Sequence, residues 1–180
     1  MRVVAGCAGG IPLQLPKHDL RPTMDKVKGA IFSSLGEVVT GARVLDLFAG
    51  SGALGIEAMS RGAAQATLVE SHVKALDAIA ANLRKTQLAA TVCREEVFHF
   101  LKRNTGEFDL ILADPPYAKT PGATDFGEQL LHSPDLARAL SPEGFFVLER
   151  APASFLPTPL FRLIRQKTYG ATEVLLLAHP

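Results

Sequence analysis

The chain has no tryptophan, only two tyrosines and only two cysteines in 180 residues. Cys7 and Cys93 stand far apart, with no C-x-x-C pair and no cluster of histidines nearby. A disulfide framework or a zinc site is therefore not expected, and a reducing cytosol suits the composition. Long apolar runs are also missing: nothing reaches the about 18 uncharged residues of a membrane-spanning helix. The opening Met1-Arg2-Val3-Val4-Ala5-Gly6 lacks the apolar stretch of a secretory signal. Nor is there an excess of one charge sign, with 19 Lys/Arg against 18 Asp/Glu. What remains is globular composition, 47% hydrophobic and 21% charged, on a chain long enough for one core and too short for two ordinary domains. The expectation is a cytoplasmic monomer that needs neither membrane nor metal.

The charge becomes informative once divided. Residues 1–43 hold six Lys/Arg against three Asp/Glu, and the rest hold 13 against 15. A mildly basic head on a slightly acidic body permits a polyanionic partner held by one end, although an ordinary solvated face has the same signature.

Apolar runs alternate with helical patterns through the middle of the chain. Val44-Leu45-Asp46-Leu47-Phe48, Ala66-Thr67-Leu68-Val69, Ala90-Thr91-Val92-Cys93, Asp109-Leu110-Ile111-Leu112-Ala113 and Gly144-Phe145-Phe146-Val147-Leu148 read as strands. Helical stripes fall between several of them, at Ile56, Ala58 and Met59, at Val73, Leu76, Ala80 and Leu83, and at Val97, Phe100 and Leu101. That alternation predicts βαβ units and a mostly parallel sheet. Near the end, Leu160–Ile164 and Glu173–Leu177 have no helix-length segment between them and predict an antiparallel hairpin. At the start, two short extended pieces lead to Arg21-Pro22-Thr23. Thr23 is placed to cap a helix with Met24, Val27, Ile31 and Leu35 on its inner face. No repeat and no low-complexity segment interrupts this order.

Two motifs carry chemistry. Gly50-Ser51-Gly52-Ala53-Leu54-Gly55 fits G-x-G-x-x-G between a strand and a helix, with Glu70 about 20 residues on, placed to accept from ribose hydroxyls. By itself this is a dinucleotide fingerprint. Asp46 argues otherwise: a carboxylate beside the turn repels a pyrophosphate but suits the cationic amino-acid end of S-adenosylmethionine. Asp46-Leu47-Phe48-Ala49-Gly50-Ser51-Gly52 is thus read as a nucleoside-methionine turn, with a turn serving only tight packing as the other reading. Glu96 and the Val97 amide, after the third strand, are placed to meet adenine, and Glu96 is equally placed to complement a helix dipole.

Asp114-Pro115-Pro116-Tyr117 ends the fourth strand, on the carboxyl edge where open α/β sheets bind ligands. Two prolines stiffen the turn and fix the directions of the Asp114 carboxylate and the Pro115 carbonyl. Both accept hydrogen bonds. An exocyclic amine on a base is a poor nucleophile because its lone pair is delocalised into the ring. Two acceptors on its two N–H bonds draw the nitrogen toward tetrahedral geometry, and the carboxylate stabilises charge developing on it. Tyr117 offers a flat face for stacking the base.

With these residues in hand, the chain resembles the RsmD family of bacterial 16S rRNA guanine-N2 methyltransferases. The likeness runs through Arg2-Val3-Val4, Leu20-Arg21-Pro22-Thr23-Met24-Asp25-Lys26-Val27, Leu45 to Ala58, Asp114 to Tyr117 and Tyr169-Gly170-x-Thr172. The R-P-T-x-D-x-V run discriminates best; the other two motifs occur in many amino-methyltransferases. The resemblance implies a Rossmann-like class I methyltransferase: α/β, a mostly parallel seven-stranded sheet with helices on both faces and a C-terminal antiparallel hairpin. It implies an RNA-facing N-terminal extension over residues 1–40 and a methyltransferase domain over 41–180. S-adenosylmethionine would be held by Asp46, Phe48, Ala49, Gly50, Ser51, Gly52, Glu70, Ser71, Glu96, Val97 and Asp114. Asp114, Pro115, Pro116 and Tyr117 would act on the target amine, the guanine numbered 966 in the family. Arg21, Thr23 and Asp25 would border the substrate, with Tyr117 against the base; without the family's arginine patch, the grip on 16S rRNA or the assembling small subunit is either weaker than the family norm or supplied by Lys17, Arg21, Lys26 and Lys28.

Departures from the family pattern are visible too. Ala8-Gly9-Gly10-Ile11 stands where the family has an arginine-bearing patch, Gly29 where an acidic residue is usual, and Glu96 where Asp or Asn is common. Amino-methylation of adenine or cytosine in DNA is the alternative activity, although 180 residues leave no room for a separate target-recognition domain. An RNA-binding assembly factor without catalysis is a further alternative, and the intact Asp114 speaks against it. A hydride-transferring dehydrogenase is the most distant one.

Overall fold

The computed structural model describes residues 1–15, 24–117, 124–154 and 157–180. Among these residues one sheet is built from β1 (Arg43–Leu47), β2 (Gln65–Glu70), β3 (Thr91–Arg94), β4 (Phe108–Ala113), β5 (Leu140–Arg150), β6 (Arg162–Tyr169) and β7 (Thr172–Ala178). Its order is β3-β2-β1-β4-β5-β7-β6. The first five strands are parallel, β7 runs antiparallel to β5, and β6 antiparallel to β7. The mostly parallel sheet and the closing hairpin are as the residue pattern predicts. β5 is longer than Gly144–Leu148 alone, because the chain enters the sheet at Leu140 opposite Phe108 before its register shifts.

Side chains alternate across the sheet, so each strand feeds two cores. Leu45, Leu47, Ile111, Phe146, Leu148, Leu175 and Leu177 pack on one face with α4 (Val97–Arg103), α5 (Phe126–Leu131) and α6 (Pro134–Ala139). Val44, Leu68, Leu110, Leu112 and Val147 pack on the other with α1 (Met24–Leu35), α2 (Ala53–Ser60) and α3 (Val73–Thr86). Truncating a wholly buried member such as Leu45 or Leu112 to alanine costs about 2–5 kcal/mol. The pair α5 and α6 is not apparent from periodicity: six residues each are too few for a stripe. Their starts are nonetheless written in the chain. Asp125 accepts from Glu128 N at 3.1 Å, and Ser133, followed by Pro134, accepts from Leu136 N at 3.2 Å.

The described part of the N-terminal extension is not a separate body. Val27, Ile31, Phe32 and Leu35 of α1 belong to the same core as Val44 and Leu112. Residues 1–15 fold back on themselves, with Val3 N donating to Ile11 O at 2.9 Å and Leu13 N to Met1 O at 3.0 Å. Val3, Ala8 and Leu13 then cover Ala53 and Ile56 of α2.

Three buried polar side chains fasten this cover. Glu57, wholly buried, accepts from Val4 N at 2.7 Å and Ala5 N at 3.0 Å, and pairs with Lys28 and Arg61. Ser60 accepts from Ala8 N and donates to Ala5 O. Asn82 accepts from Gln14 N at 2.7 Å and donates to both Gln14 O and Ser51 O at 2.9 Å. One amide therefore links the N-terminal cover, α3 and the glycine turn.

Candidate active site

Strands β1 and β4 are neighbours, with Asp46 opposite Leu112 and Leu47 opposite Ala113. The two motifs that follow them therefore emerge side by side at the carboxyl edge. Between them lies an open pocket of about 670 Å³, lined by Asp46, the Phe48–Ser51 turn, Asp114 and Glu149 together with Met1 and Leu15. Among the described lining residues Lys28 is the one with a cationic side chain.

The turn is shaped by backbone demands that only certain residues meet. Gly52 is left-handed at φ +77°, a region that disfavours a side chain. At Gly55 a Cβ would come within 2.9 Å of Leu68 and 3.1 Å of the Asp46 carboxylate, so a larger residue there would have to displace both side chains. Phe48 is also left-handed, at φ +56°, which is unfavourable for an aromatic residue. Its ring packs against Phe126 at 5.5 Å and Phe98 at 6.5 Å, between centroids. Those contacts hold the turn in place.

Asp46 is 1% exposed, and its Oδ2 accepts from Gly55 N at 2.8 Å. Burial pushes its carboxyl up to about 7; the Gly55 amide pulls the other way, and the charge of Glu70 adds a little upward. A buried carboxyl lining a pocket in this state suits a bound cation, whose charge would stabilise the ionised form. Glu70 joins the turn to α3, accepting from Gly50 N at 2.8 Å and His72 N at 2.7 Å. Each of its oxygens has a second lone pair for a hydroxyl. Ser71 is exposed beside it.

Glu96 is the N-cap of α4, its Oε2 accepting from Phe98 N at 2.9 Å and His99 N at 3.1 Å, and Val97 is buried behind it. The dipole role is thus the one drawn in these bonds. In the D-P-P-Y loop Asp114 is half-buried, Pro115 buried and Pro116 exposed. The hydroxyl of Tyr117 is bonded to Thr172 Oγ1 at 3.1 Å, tying the loop to the first residue of β7. A second opening, of about 430 Å³, flanks the loop and is lined by Pro115, Pro116, Tyr117, Gly127 and Arg150.

The expected basic head is corrected in part. Lys28 is no exposed grip for RNA: it is 3% exposed, donates to Arg2 O at 2.6 Å and lies 3.2 Å from Glu57. Burial lowers its pKa against the opposing pull of Glu57. Asp25 accepts from Arg2 N at 3.0 Å and so also secures the cover, while Lys26 is exposed. Lys17, Arg21 and Thr23 lie outside the described residues. Glu57, Ser60 and Asn82 escape notice in the sequence because single polar residues on helices read as solvent-facing. Among the described residues no group of three or more His, Cys, Asp or Glu is placed to hold a metal, and no helix is long and apolar enough to cross a membrane.

A mostly parallel sheet with this order, a glycine turn after β1 and a D-P-P-Y loop after β4 define a class I methyltransferase fold with an S-adenosylmethionine site. The family model described as "Conserved hypothetical protein 95" matches residues 1–178, and the chain belongs to that family, the one to which the RsmD motifs point. It is 39% identical to the Bacillus subtilis (strain 168) protein YlbH over 183 residues, covering 97% of this chain and 96% of that one. It is 32% identical to ribosomal RNA small subunit methyltransferase D of Haemophilus influenzae over 177 residues, covering 94% and 89%. Among solved structures, the Thermus thermophilus 16S rRNA N2 G1207 methyltransferase, in complex with AdoMet and guanosine, superposes with a TM-score of 0.71 at 25% identity. That match covers 91% of this chain and 44% of the other.

Proposed function

We propose that this protein transfers a methyl group from S-adenosylmethionine to the exocyclic N2 of a guanine in 16S rRNA, the guanine numbered 966 by family resemblance, during assembly of the small subunit. The observation that carries the reading is the sharing of one pocket by Asp46, near the end of β1, and Asp114, just after the adjacent β4. When bound, the cofactor supplies an electrophilic methyl on a positively charged sulfur.

The chain's own residues do the rest. Asp46 and the turn from Phe48 to Gly52 hold the amino-acid end, and Glu70 with Ser71 faces the ribose. Glu96 and Val97 stand at the adenine side, where the cap leaves Glu96 Oε1 to accept. Asp114 Oδ and the Pro115 carbonyl accept the two N–H bonds of the guanine amine and turn its lone pair toward the methyl. Asp114 then stabilises the positive charge that develops on that nitrogen, and the surplus proton leaves to water. Tyr117, fixed at its hydroxyl, presents its ring to the base. The names of the Haemophilus influenzae and Thermus thermophilus relatives favour small-subunit RNA over DNA as the acceptor.

The test is labelled-methyl transfer to small subunits that lack the modification, followed by mass spectrometry of the RNA. Incorporation as N2-methylguanosine is expected, together with loss of transfer in Asp114→Ala while cofactor affinity stays within a few-fold. Absence of incorporation under conditions where the cofactor binds would rule the reading out. Preferential methylation of duplex DNA would instead point to the DNA enzyme, and full complementation of a null strain by Asp114→Ala to a non-catalytic factor.

A further inference from the structure

The hairpin that closes the sheet has a feature that the methyl-transfer chemistry leaves unused. Strand β6, at the edge, reads Arg162-Leu163-Ile164-Arg165-Gln166-Lys167-Thr168-Tyr169 and contains no carboxylate. In an unbroken strand Arg162 and Arg165, three apart, would point to opposite faces. The register shows why they do not: Leu163 pairs with Leu177, but Arg165 already pairs with Leu176, leaving Ile164 as an extra residue. Such a bulge restores the lost step.

Which face this selects follows from the partners. Arg162, Arg165, Lys167 and Tyr169 sit opposite Ala178, Leu176, Val174 and Thr172, while Gln166 and Thr168 sit opposite Leu175 and Glu173. Val174, Leu176 and Tyr169 belong to the α1-side core, whereas Leu175 and Leu177 belong to the other. All three cations therefore stand on the α1 side, and the opposite side of the strand is uncharged.

Between this row and α1 runs a groove of about 310 Å³, lined by Ala30, Ile31, Ser34, Leu35, Val174 and Leu176, with Arg165, Lys167 and Tyr169 along its rim. Arg165 reaches across it to Ser34 Oγ at 3.4 Å. On the helix side, Lys26 lies one turn before Ala30 and is exposed. On this face Glu149 stands in register with Val174 and hence in line with Lys167, and it also lines the pocket between the two motifs.

Cations on an edge strand also discourage strand-to-strand association. That role, however, does not require them on a single face or beside a groove. The direction of the row is informative as well. β6 runs toward the carboxyl edge of the sheet, so Tyr169 is nearest the catalytic loop. It is paired with Thr172, the residue that holds Tyr117. Lys167 and Arg165 follow at steps of about 6.6 Å, two strand residues each. Steps of this size match successive phosphates of an extended strand, and the apolar groove floor suits riboses or an unstacked base.

We infer that the α1-side face of the C-terminal hairpin, Arg162–Arg165–Lys167–Tyr169 with the adjoining groove, is a docking track for the single-stranded RNA backbone that leads into the Asp114 loop. This rests on the proposed activity for its substrate class, and it supplies a grip in a chain whose Ala8-Gly9-Gly10-Ile11 segment has no arginine.

The experiment measures binding of a fluorescent single-stranded 16S-derived oligoribonucleotide by anisotropy across a salt series. Wild type is compared with the Arg165→Ala/Lys167→Ala double variant, and Lys85→Ala serves as an exposed cation elsewhere. Calorimetry with S-adenosylhomocysteine checks that each variant is folded and cofactor-competent. The double variant is expected to bind RNA at least tenfold more weakly at low salt. Its log–log salt slope should be shallower by about 1.4, two single-strand phosphate contacts. Lys85→Ala should change neither.

Unchanged RNA affinity and slope in the double variant, with wild type methylating normally, would overturn the track and leave the activity standing. A wild type that transfers no methyl, together with a double variant that loses RNA, would do the reverse. Loss of methylation on assembled subunits with undiminished binding of naked RNA would assign the face to a ribosomal protein and overturn the inference.

Discussion

Tyr117 and Thr172, 55 residues apart, meet through their hydroxyls at 3.1 Å and join the D-P-P-Y loop to the C-terminal hairpin. The bond brings two separate sequence signatures, D-P-P-Y and Y-G-x-T, together. It is also the bond most open to dissection. Tyr117→Phe and Thr172→Val each remove one partner and should cost about 0.5–1.5 kcal/mol of stability. If the bond aims the tyrosine ring, each variant should lower kcat several-fold, and the double variant should lose little more than either alone. Strictly additive losses in a double-mutant cycle would mean that the two act separately.

Asp46 should make the cofactor-free protein respond to pH in the direction opposite to an ordinary surface carboxylate. Its folded-state value of about 7 lies above the unfolded value near 3.8, so the folded state holds the proton more tightly. Stability from this group is therefore complete below about pH 4 and is lost as pH rises toward 7, by an amount on the order of 4 kcal/mol. Thermal melts of wild type and Asp46→Asn across this range should diverge accordingly. Cofactor affinity should tighten between about pH 6 and 8 in wild type, because the α-ammonium group seeks the ionised carboxylate, and stay flat in Asp46→Asn. Parallel profiles would exclude this role.

Glu57 gathers two backbone amides, Lys28 and Arg61 around one buried carboxylate. Glu57→Ala leaves the Lys28 ammonium without its counter-charge and should cost about 3–5 kcal/mol. Limited proteolysis should then cut within residues 1–15 before any other site, and cofactor affinity should fall because Met1 and Leu15 line the pocket. Cleavage beginning elsewhere would show that the cover is held by its apolar contacts instead.

Glu96 offers a separation of two roles. As the N-cap of α4 it should contribute about 1 kcal/mol, and Glu96→Asp, a good cap, should restore stability. If Glu96 also accepts from the adenine amine, the shorter side chain restores the melting temperature but not cofactor affinity. Recovery of both together would assign Glu96 to the helix alone.

Much of this architecture is legible in the residues because the parallel strands are apolar on both sides and the motifs sit at their ends. Asp46 stands out as a charge inside such a strand, and Asp114 as a charge closing one. What escapes is whatever depends on partners far along the chain. Lys28 counts as one more positive charge in a basic head until α2 brings Glu57 against it. The basic face of β6 is hidden because the extra residue at Ile164 breaks the alternation by which a strand is recognised. Helices α5 and α6 are missed for want of length, although Asp125, Ser133 and Pro134 mark their starts.

The fastening of residues 1–15 also sets an order of events. Their anchors, Glu57, Ser60 and Asn82, lie 52 to 68 residues downstream. The ribosome has therefore made α2 and α3 before this segment can find its seat, and the long loop between them has to close. Met1 and Leu15, which line the pocket, are translated well before the strands and turn that complete it. Until these exist, Val3, Ala8 and Leu13 remain exposed apolar side chains, a period of vulnerability that ends only when the pocket itself is complete.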